Sequence, residues 1–526
     1  MSETERLQAR YGAAYRWLAT GTALMGTIST ILSATIVNVA IPDVIGAFGM
    51  TQNQAQWLAT AFLAAMTALM PCNAWLIARF GVRQCFTAAM VVFLLGSILG
   101  GISPGSGVLV LGRVLQGAAA GVSQPLAMLI IFSVFPADKR GEAMGIYGIG
   151  VILAPALGPA LGGVLIDQFS WRYVFFMALP FATTGIVLAQ LFLPRREASE
   201  AGRFDALGFA LLSAALLLLL VGLSDGQRDG WGSLRIGLLL AGAVVATLAF
   251  VVWERRLDTP LLDLSLFGNR HFLPGALVTL ILGAGLYGST YLIPLFVQTL
   301  QGYTPTRSGL LLMPAGLILA LVFPLAGRLS DRLSKAQLTA AGLLLFALSA
   351  QLMRAVDADT PFWAFAGWIV LGRIGLGLIM PALTAGALQS LTPAQLGQGA
   401  GAINFLRQLG GAVGVNALAV VLERQTALHA ALLASTQTAG NAALAAVQDQ
   451  LGAIWQQAGL TGTAASGMTV HWLGQMLQAQ ASTLAFRDSF ALVALLFALA
   501  VGPALLLRPP PPTAPEARRQ RAPVRG

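Results

Sequence analysis

The stretch LGRVLQG, Leu111 to Gly117, sets an arginine inside an apolar run, and LGRIGLG, Leu371 to Gly377, does so again 260 residues later. A fainter echo links AWLIARFG, Ala74 to Gly81, with GRLSDRLS, Gly327 to Ser334, at an offset of 253. Two matches at nearly one offset indicate two similar halves, an arrangement common among membrane transporters. Both arginines lie in segments long enough to cross a bilayer, where a guanidinium is costly and needs partners. The fold read from this pair is all-α, membrane-spanning and internally duplicated.

The composition agrees. Of 526 residues, 56% are hydrophobic and 10% charged, against roughly 25% charged in soluble domains, and the mean hydropathy is +0.76. Fourteen apolar spans are expected at 17–40, 54–78, 84–102, 107–133, 142–166, 172–193, 205–223, 234–253, 272–299, 307–328, 337–354, 361–387, 398–422 and 488–507. They divide the chain into an N-terminal segment (1–16), a six-helix bundle (17–194), two additional spans (195–256), a second six-helix bundle (257–507) and a basic tail (508–526) read as disordered. An even count puts both termini on one side. Lys and Arg gather in the connections on that side, which makes it the cytoplasmic face. The net charge of +10 therefore marks a membrane surface and no nucleic-acid site. The first 16 residues are polar and no short apolar core with a small-residue cleavage site follows, so no cleaved signal peptide is expected. Cys72 and Cys85 form no metal or redox spacing.

Several motifs together resemble a known family. TIVNVAIP (35–42), QWLATAF (56–62), LGRVLQGAAAGVSQP (111–125), GVILAPALGPALGG (150–163) with WRYVFF (171–176), ERRLDTPLLDLSLF (254–267) and RQLGGAVG (407–414) are similar to signatures of the fourteen-span drug:proton antiporters of the major facilitator superfamily, the EmrB/QacA type. The resemblance covers nearly the whole chain. It implies two six-helix bundles plus two extra central helices, in the cytoplasmic (inner) membrane, exporting small amphiphilic compounds in exchange for protons. EmrB-like pumps work with a periplasmic adaptor and an outer-membrane channel, so both are implied partners. The sequence also departs from the pattern. Ser33 stands where the first span usually carries an aspartate, Ala78 replaces the acid of the first-half loop motif, and only Asp331 keeps its counterpart in the second half.

The residues have physical readings of their own. Arg113 lies about 9 Å inside span 4 at 1.5 Å per residue, and Gln116 at i+3 shares its face. The pair either couples and orients a substrate or pins span 4 to its neighbours. Arg407 in span 13 and Arg373 in span 12 pose the same choice. In span 5, Gly150, Gly158, Gly162 and Gly163 leave a bare face while Pro155 and Pro159 remove backbone donors. That suits a gating helix or ordinary close packing, and the resemblance points to the gate. Ser33, Thr35 and Asn38 make span 1 polar without charge, so they bond a neighbouring helix or a substrate.

None of the 21 carboxylates lies deep in a span. Proton coupling is thus assigned to an interfacial acid such as Asp43, or to the substrate's own protonation. A cavity with arginine and no acid favours anionic or neutral amphiphiles over quaternary cations. Cavity-facing candidates are Trp57 and Thr60 in span 2 and Tyr287, Tyr291 and Gln298 in span 9. The loop 423–487 carries two amphipathic stretches, 441–457 and one with Leu473, Met476, Leu477 and Leu484, expected outside the membrane. They are read as lying on lipid, covering the mouth of the transporter or meeting a periplasmic partner. No nucleophile–base set, metal spacing or phosphate loop is present, so no enzyme, metal or cofactor is expected. Besides multidrug export, two functions stay open: a dedicated exporter of one metabolite or organic anion, and a non-transporting sensor or scaffold.

Overall fold

The computed structural model describes residues 3–135, 157–195, 203–257, 260–389, 391–392, 395–437, 441–460 and 462–507. Among these residues the regular elements are all helical, and thirteen helices are long and apolar enough to cross a membrane. Spans 1 to 4 are Tyr15–Phe48, Trp57–Phe80 with a short 3-10 turn at Met70–Cys72, Val82–Gly101 and Ser106–Val134. The expected span 5 falls largely on 136–156, outside the described residues, and its remainder, 157–168, is helical. Span 6 is Leu179–Phe192; the added pair, spans 7 and 8, is Ala206–Asp229 and Leu234–Glu254. Spans 9 to 12 are Leu273–Thr299, Pro305–Arg332, Lys335–Leu352 and Phe362–Leu388. Span 13 is Leu396–Ser435 and span 14 Thr463–Leu505.

Local chemistry sets several boundaries. Gly49 ends span 1 with φ 61°, a conformation that costs a glycine little. Thr51 and Gln54 form a reciprocal capping box ahead of span 2. Asp205, Ser233 and Thr304 cap spans 7, 8 and 10 through their side chains. The end of the bundle holding the span 1–2 connection is called the upper end below.

The duplication read from sequence has a spatial counterpart. A Cβ on Gly112 would lie 2.8 Å from the Gly96 carbonyl, so spans 3 and 4 cross nearly backbone to backbone. Gly372, 260 residues after Gly112, meets Ser349, 253 residues after Gly96, at the crossing of spans 11 and 12, here through a side chain: its Cβ would lie 2.7 Å from Ser349 Oγ. In lipid, where helices gain little from the hydrophobic effect, such small-residue crossings supply the packing. Span 8 is peripheral and shows Leu238, Val244, Val245, Leu248 and Val252 outward.

The halves meet through spans 1, 5, 9 and 10 at the upper end. Gln298 of span 9 donates to the Val39 carbonyl of span 1 at 3.0 Å. The Thr306 amide in the first turn of span 10 donates to Asp167 Oδ2 at 2.9 Å, a carboxylate placed at a helix N-terminus. A Cβ on Gly163 would overlap the Pro305 carbonyl, and one on Gly309 the Pro159 carbonyl. Span 7 bridges the seam: Asn416 of span 13 donates to the Leu220 carbonyl, and Trp57 of span 2 to Ser224 Oγ at 3.0 Å.

The region 423–487 differs from its sequence reading. Spans 13 and 14 run on without a break as helices of 40 and 43 residues, about 60 Å each at 1.5 Å per residue against roughly 30 Å of hydrocarbon. The second amphipathic stretch is thus the first half of the span 14 helix and no separate surface helix. Among the described residues of this region only Ala442–Gln457 forms an independent helix, and it packs on the span 14 extension.

Candidate functional site

Span 4 is drawn into the first bundle by its glycines. A Cβ on Gly117 would overlap the Phe62 carbonyl, and one on Gly121 would meet the Met66 carbonyl at 2.5 Å. This approach swallows Arg113, whose side chain has 0% exposure. Its Nε donates to the Leu58 carbonyl of span 2 at 2.6 Å. Its Nη1 donates to Ser33 Oγ at 3.0 Å, the Ser33 carbonyl at 3.2 Å and Gln116 Oε1 at 2.7 Å. The guanidinium carbon lies 4.4 Å from the centre of the Phe62 ring, a cation–π contact. Gln116 passes the chain on, donating to Ser97 Oγ of span 3 at 2.9 Å. One arginine thereby touches spans 1, 2 and 4 directly, and span 3 through Gln116.

No carboxylate joins this set: among the described residues Arg113 makes no ion pair, and its Nη2 has no hydrogen-bond partner. A buried cation without a counter-charge carries a desolvation cost of about several kcal/mol. Ser33 explains the arrangement locally. It supplies a hydroxyl at the point where an aspartate would supply a negative charge. Other buried polar atoms on these spans lack partners as well, among them Asn38 Oδ1 and Thr60 Oγ1. Buried polar groups are rarely left so, and water or a ligand can fill the role.

The other sequence candidates are placed as follows. Thr35 turns its hydroxyl onto its own helix, to the Ile31 and Leu32 carbonyls. It also lies against Gly158, whose Cβ would come 2.8 Å from Thr35 Oγ1, while Gly162 faces Ile36. Gly158, Pro159, Gly162 and Gly163 thus serve close crossings with spans 1 and 10; Gly150 and Pro155 lie outside the described residues. Trp57 and Gln298 spend their polar atoms on interhelical bonds, to Ser224, and to Val39 and Ser308. Tyr291 is fully buried in the apolar core and Tyr287 packs its ring on Gly411. Arg407 donates to Asn404 at 2.6 Å, one turn away. Asp43 is half-buried near the upper end of span 1, close enough to Asp167 for their charges to interact. The side chain of Asp331 is outside what is described. Arg373, the repeat partner of Arg113, donates to Thr290 at 3.2 Å and lines a cavity of about 20 Å³ with Ser289 and Ser349, space for about one water.

Sequence reading passed over two groups. Ser224 is the acceptor for Trp57 and a partner of Asn53 and Gln56, yet it looks like any hydroxyl near a span end. Glu254 is 1% exposed at the lower end of span 8, though an acid beside Arg255 and Arg256 reads as solvated.

A duplicated bundle of long apolar helices with an arginine held inside each half defines a membrane transporter. The match of residues 23–415 to the Major Facilitator Superfamily covers most of the chain, and the chain belongs to that family. It is 30% identical to the multidrug export protein EmrB of Escherichia coli (strain K12) over 490 residues, 92% of this chain and 94% of that one. It is also 30% identical to the fatty acid resistance protein FarB of Neisseria gonorrhoeae over 502 residues, 95% and 97% of the two chains. The crystal structure of a bacterial homologue of the lysosomal transporter Spinster superposes with a TM-score of 0.61 at 16% identity, over 94% of this chain and 97% of that one, a likeness of fold. Family and relatives together support transport of the multidrug efflux type across the bacterial inner membrane.

Proposed function

We propose that this chain is a secondary active exporter of small amphiphiles, anionic or neutral in preference to cationic, working by alternating access with Arg113 as the cation of the binding region. The observation that carries this is the fully buried guanidinium with no carboxylate among its partners and one nitrogen unpaired. A carboxylate or sulfonate headgroup would supply the missing counter-charge, and guanidinium geometry suits such a group. A quaternary ammonium would meet like charge in a low-dielectric site. The name of FarB, a fatty acid resistance protein, supports the same chemistry. The clustering of Lys and Arg supports both termini being cytoplasmic, which makes the upper end periplasmic. Coupling is to protons, through an acid at that end such as Asp43, or through the substrate.

The test is an inside-out vesicle with an imposed pH gradient followed by dye. Anionic, neutral and cationic amphiphiles are added in turn, with protein-free and Arg113→Ala vesicles alongside. Protein-dependent collapse of the gradient by anionic or neutral compounds, lost in Arg113→Ala, is expected. Collapse by cations alone overturns the charge preference. A response confined to one compound indicates a dedicated exporter, and silence with folded protein a sensor or scaffold. One further observation favours a periplasmic adaptor as partner: the extended helices show Val470 (67% exposed), Trp472 and Met476 beyond the length a bilayer covers.

A further inference from the structure

The lower end of the added hairpin holds two carboxyl groups with no cation between them. Asp205 precedes span 7 and Glu254 ends span 8. Their side chains are in hydrogen-bonding contact. A Cβ on Gly208 would overlap Asp205 Oδ2 and lie 2.8 Å from Glu254 Oε1, so these two oxygens converge beside one glycine. Every other oxygen of the pair has a donor. Asp205 Oδ1 accepts from the Gly208 amide at 2.9 Å and from Trp253 Nε1 at 2.8 Å. Glu254 Oε2 accepts from the Leu262 amide at 3.4 Å. The two converging oxygens are buried and have none. Glu254 is 1% exposed and Asp205 half-buried, and a proton shared between the two acceptors removes the repulsion of like charges brought together away from water.

We propose that Asp205 and Glu254 form a proton-binding site, in which a Glu254 carboxyl O–H donates to Asp205 Oδ2 and fastens spans 7 and 8 to the lead-in of the second half. The surrounding groups are consistent with this assignment. From span 2, Cys72 lies close enough to Asp205 for their charges to interact, and Trp75 packs at a tilt on Phe204, 4.7 Å between ring centroids. From the pair's own elements come Arg203, Arg255 and Arg256, all three exposed. Among the described residues neither acid makes an ion pair. From the lead-in, Leu261 and Leu262 offer backbone amides to Glu254, and Leu262 and Leu266 are buried apolar anchors. Loss of the proton would set two negative charges against each other where span 7 begins, span 8 ends and the second half is tethered. The site is remote from Arg113 and does not depend on the substrate proposed for that arginine.

The test is infrared difference spectroscopy of the full chain in lipid nanodiscs, titrated from mildly acidic to alkaline pH. The wild type is expected to show the carbonyl band of one protonated carboxylic acid that bleaches on alkalinisation. Glu254→Gln should remove that band while keeping the fold, since its amide still donates to Asp205. Asp205→Asn should move the titration down by at least one pH unit, because the neighbouring charge is gone. Identical carboxyl bands in the wild type and both variants across the range would overturn the proposal. So would bleaching by sodium or potassium at fixed pH, which would make the pair a cation site. If Glu254→Gln fails to fold, the shift in Asp205→Asn decides alone. Transport is not part of the readout, so failure here and failure of the proposed export are separable.

Discussion

Arg113 has hydrogen bonds from three of its directions and a charge matched from none. A guanidinium remains a cation under such conditions, so the site is an electropositive point inside the first bundle. Placing an acid beside it is the sharpest change available. Ser33→Asp is expected to pair with Arg113, lower export of anionic amphiphiles about tenfold or more, equivalent to about 1.4 kcal/mol, and admit cationic ones. Vesicle transport with both substrate classes measures it; unchanged selectivity would mean that Arg113 only pins helices. Arg113→Lys should fail to rescue, since an ammonium cannot bond the Leu58 carbonyl and Ser33 in one planar fork. At this scale the sequence was half legible. An arginine deep in an apolar span announces itself through cost alone. Gln116 at i+3 was legible beside it, but a backbone carbonyl such as that of Leu58 has no sequence signal. Glu254 was illegible for a related reason: burial at a span end depends on the chain that folds over it, here Leu261 and Leu262.

At the scale of helices, glycine decides which pairs touch. Spans 5 and 10 come from opposite halves, and Gly163 and Gly309 let each meet the other's backbone at Pro305 and Pro159. A side chain at either glycine must push the halves apart at the upper end. Gly309→Val is therefore expected to hold that end open and reduce transport at least tenfold while leaving the bundle folded. A pair of cysteines placed across spans 5 and 10 reports it: cross-linking should fall in the variant, and unchanged cross-linking with normal transport would refute the contact's role as a seal. Gly117→Ala acts within one bundle instead, against the Phe62 carbonyl. It should cost about 1–3 kcal/mol of stability, read as a lower melting temperature in detergent. The glycine face of span 5 was visible in the sequence, with a gate and ordinary close packing as its two readings. Which helices it would meet was not, since the partner residues lie some 120 to 150 positions away. Trp57 and Gln298 show the converse. Amphipathic side chains near span ends look ready for a ligand, but Ser224 and Val39 take up their polar atoms.

At the scale of the molecule, the span pattern and the duplication were legible because lipid imposes length and apolarity on every crossing. The upper projection was not, because a helix leaving the membrane loses the apolar run that marks it while keeping its backbone bonds. Spans 13 and 14 continue into water, braced by His429 against Asp488 at 2.8 Å and by Arg487 on the Val356 carbonyl at 2.8 Å. Beyond this brace, Val470, Trp472 and Met476 stay exposed on the span 14 extension. Apolar side chains held in water on a rigid helix mark an interaction surface. If that surface serves a periplasmic adaptor, export in vesicles and resistance in cells must separate. Trp472→Glu combined with Val470→Glu should leave vesicle transport within about twofold, because neither residue touches the bundle that carries Arg113, and changes of exposed side chains are usually worth under about 0.5 kcal/mol. Cells carrying the pair should lose most of the resistance conferred by the wild type, as substrate is released into the periplasm and returns. Equal resistance in variant and wild-type cells would refute the adaptor surface. Loss in vesicles as well would show instead that the projection is part of the transport cycle, with the long helices of spans 13 and 14 moving as levers.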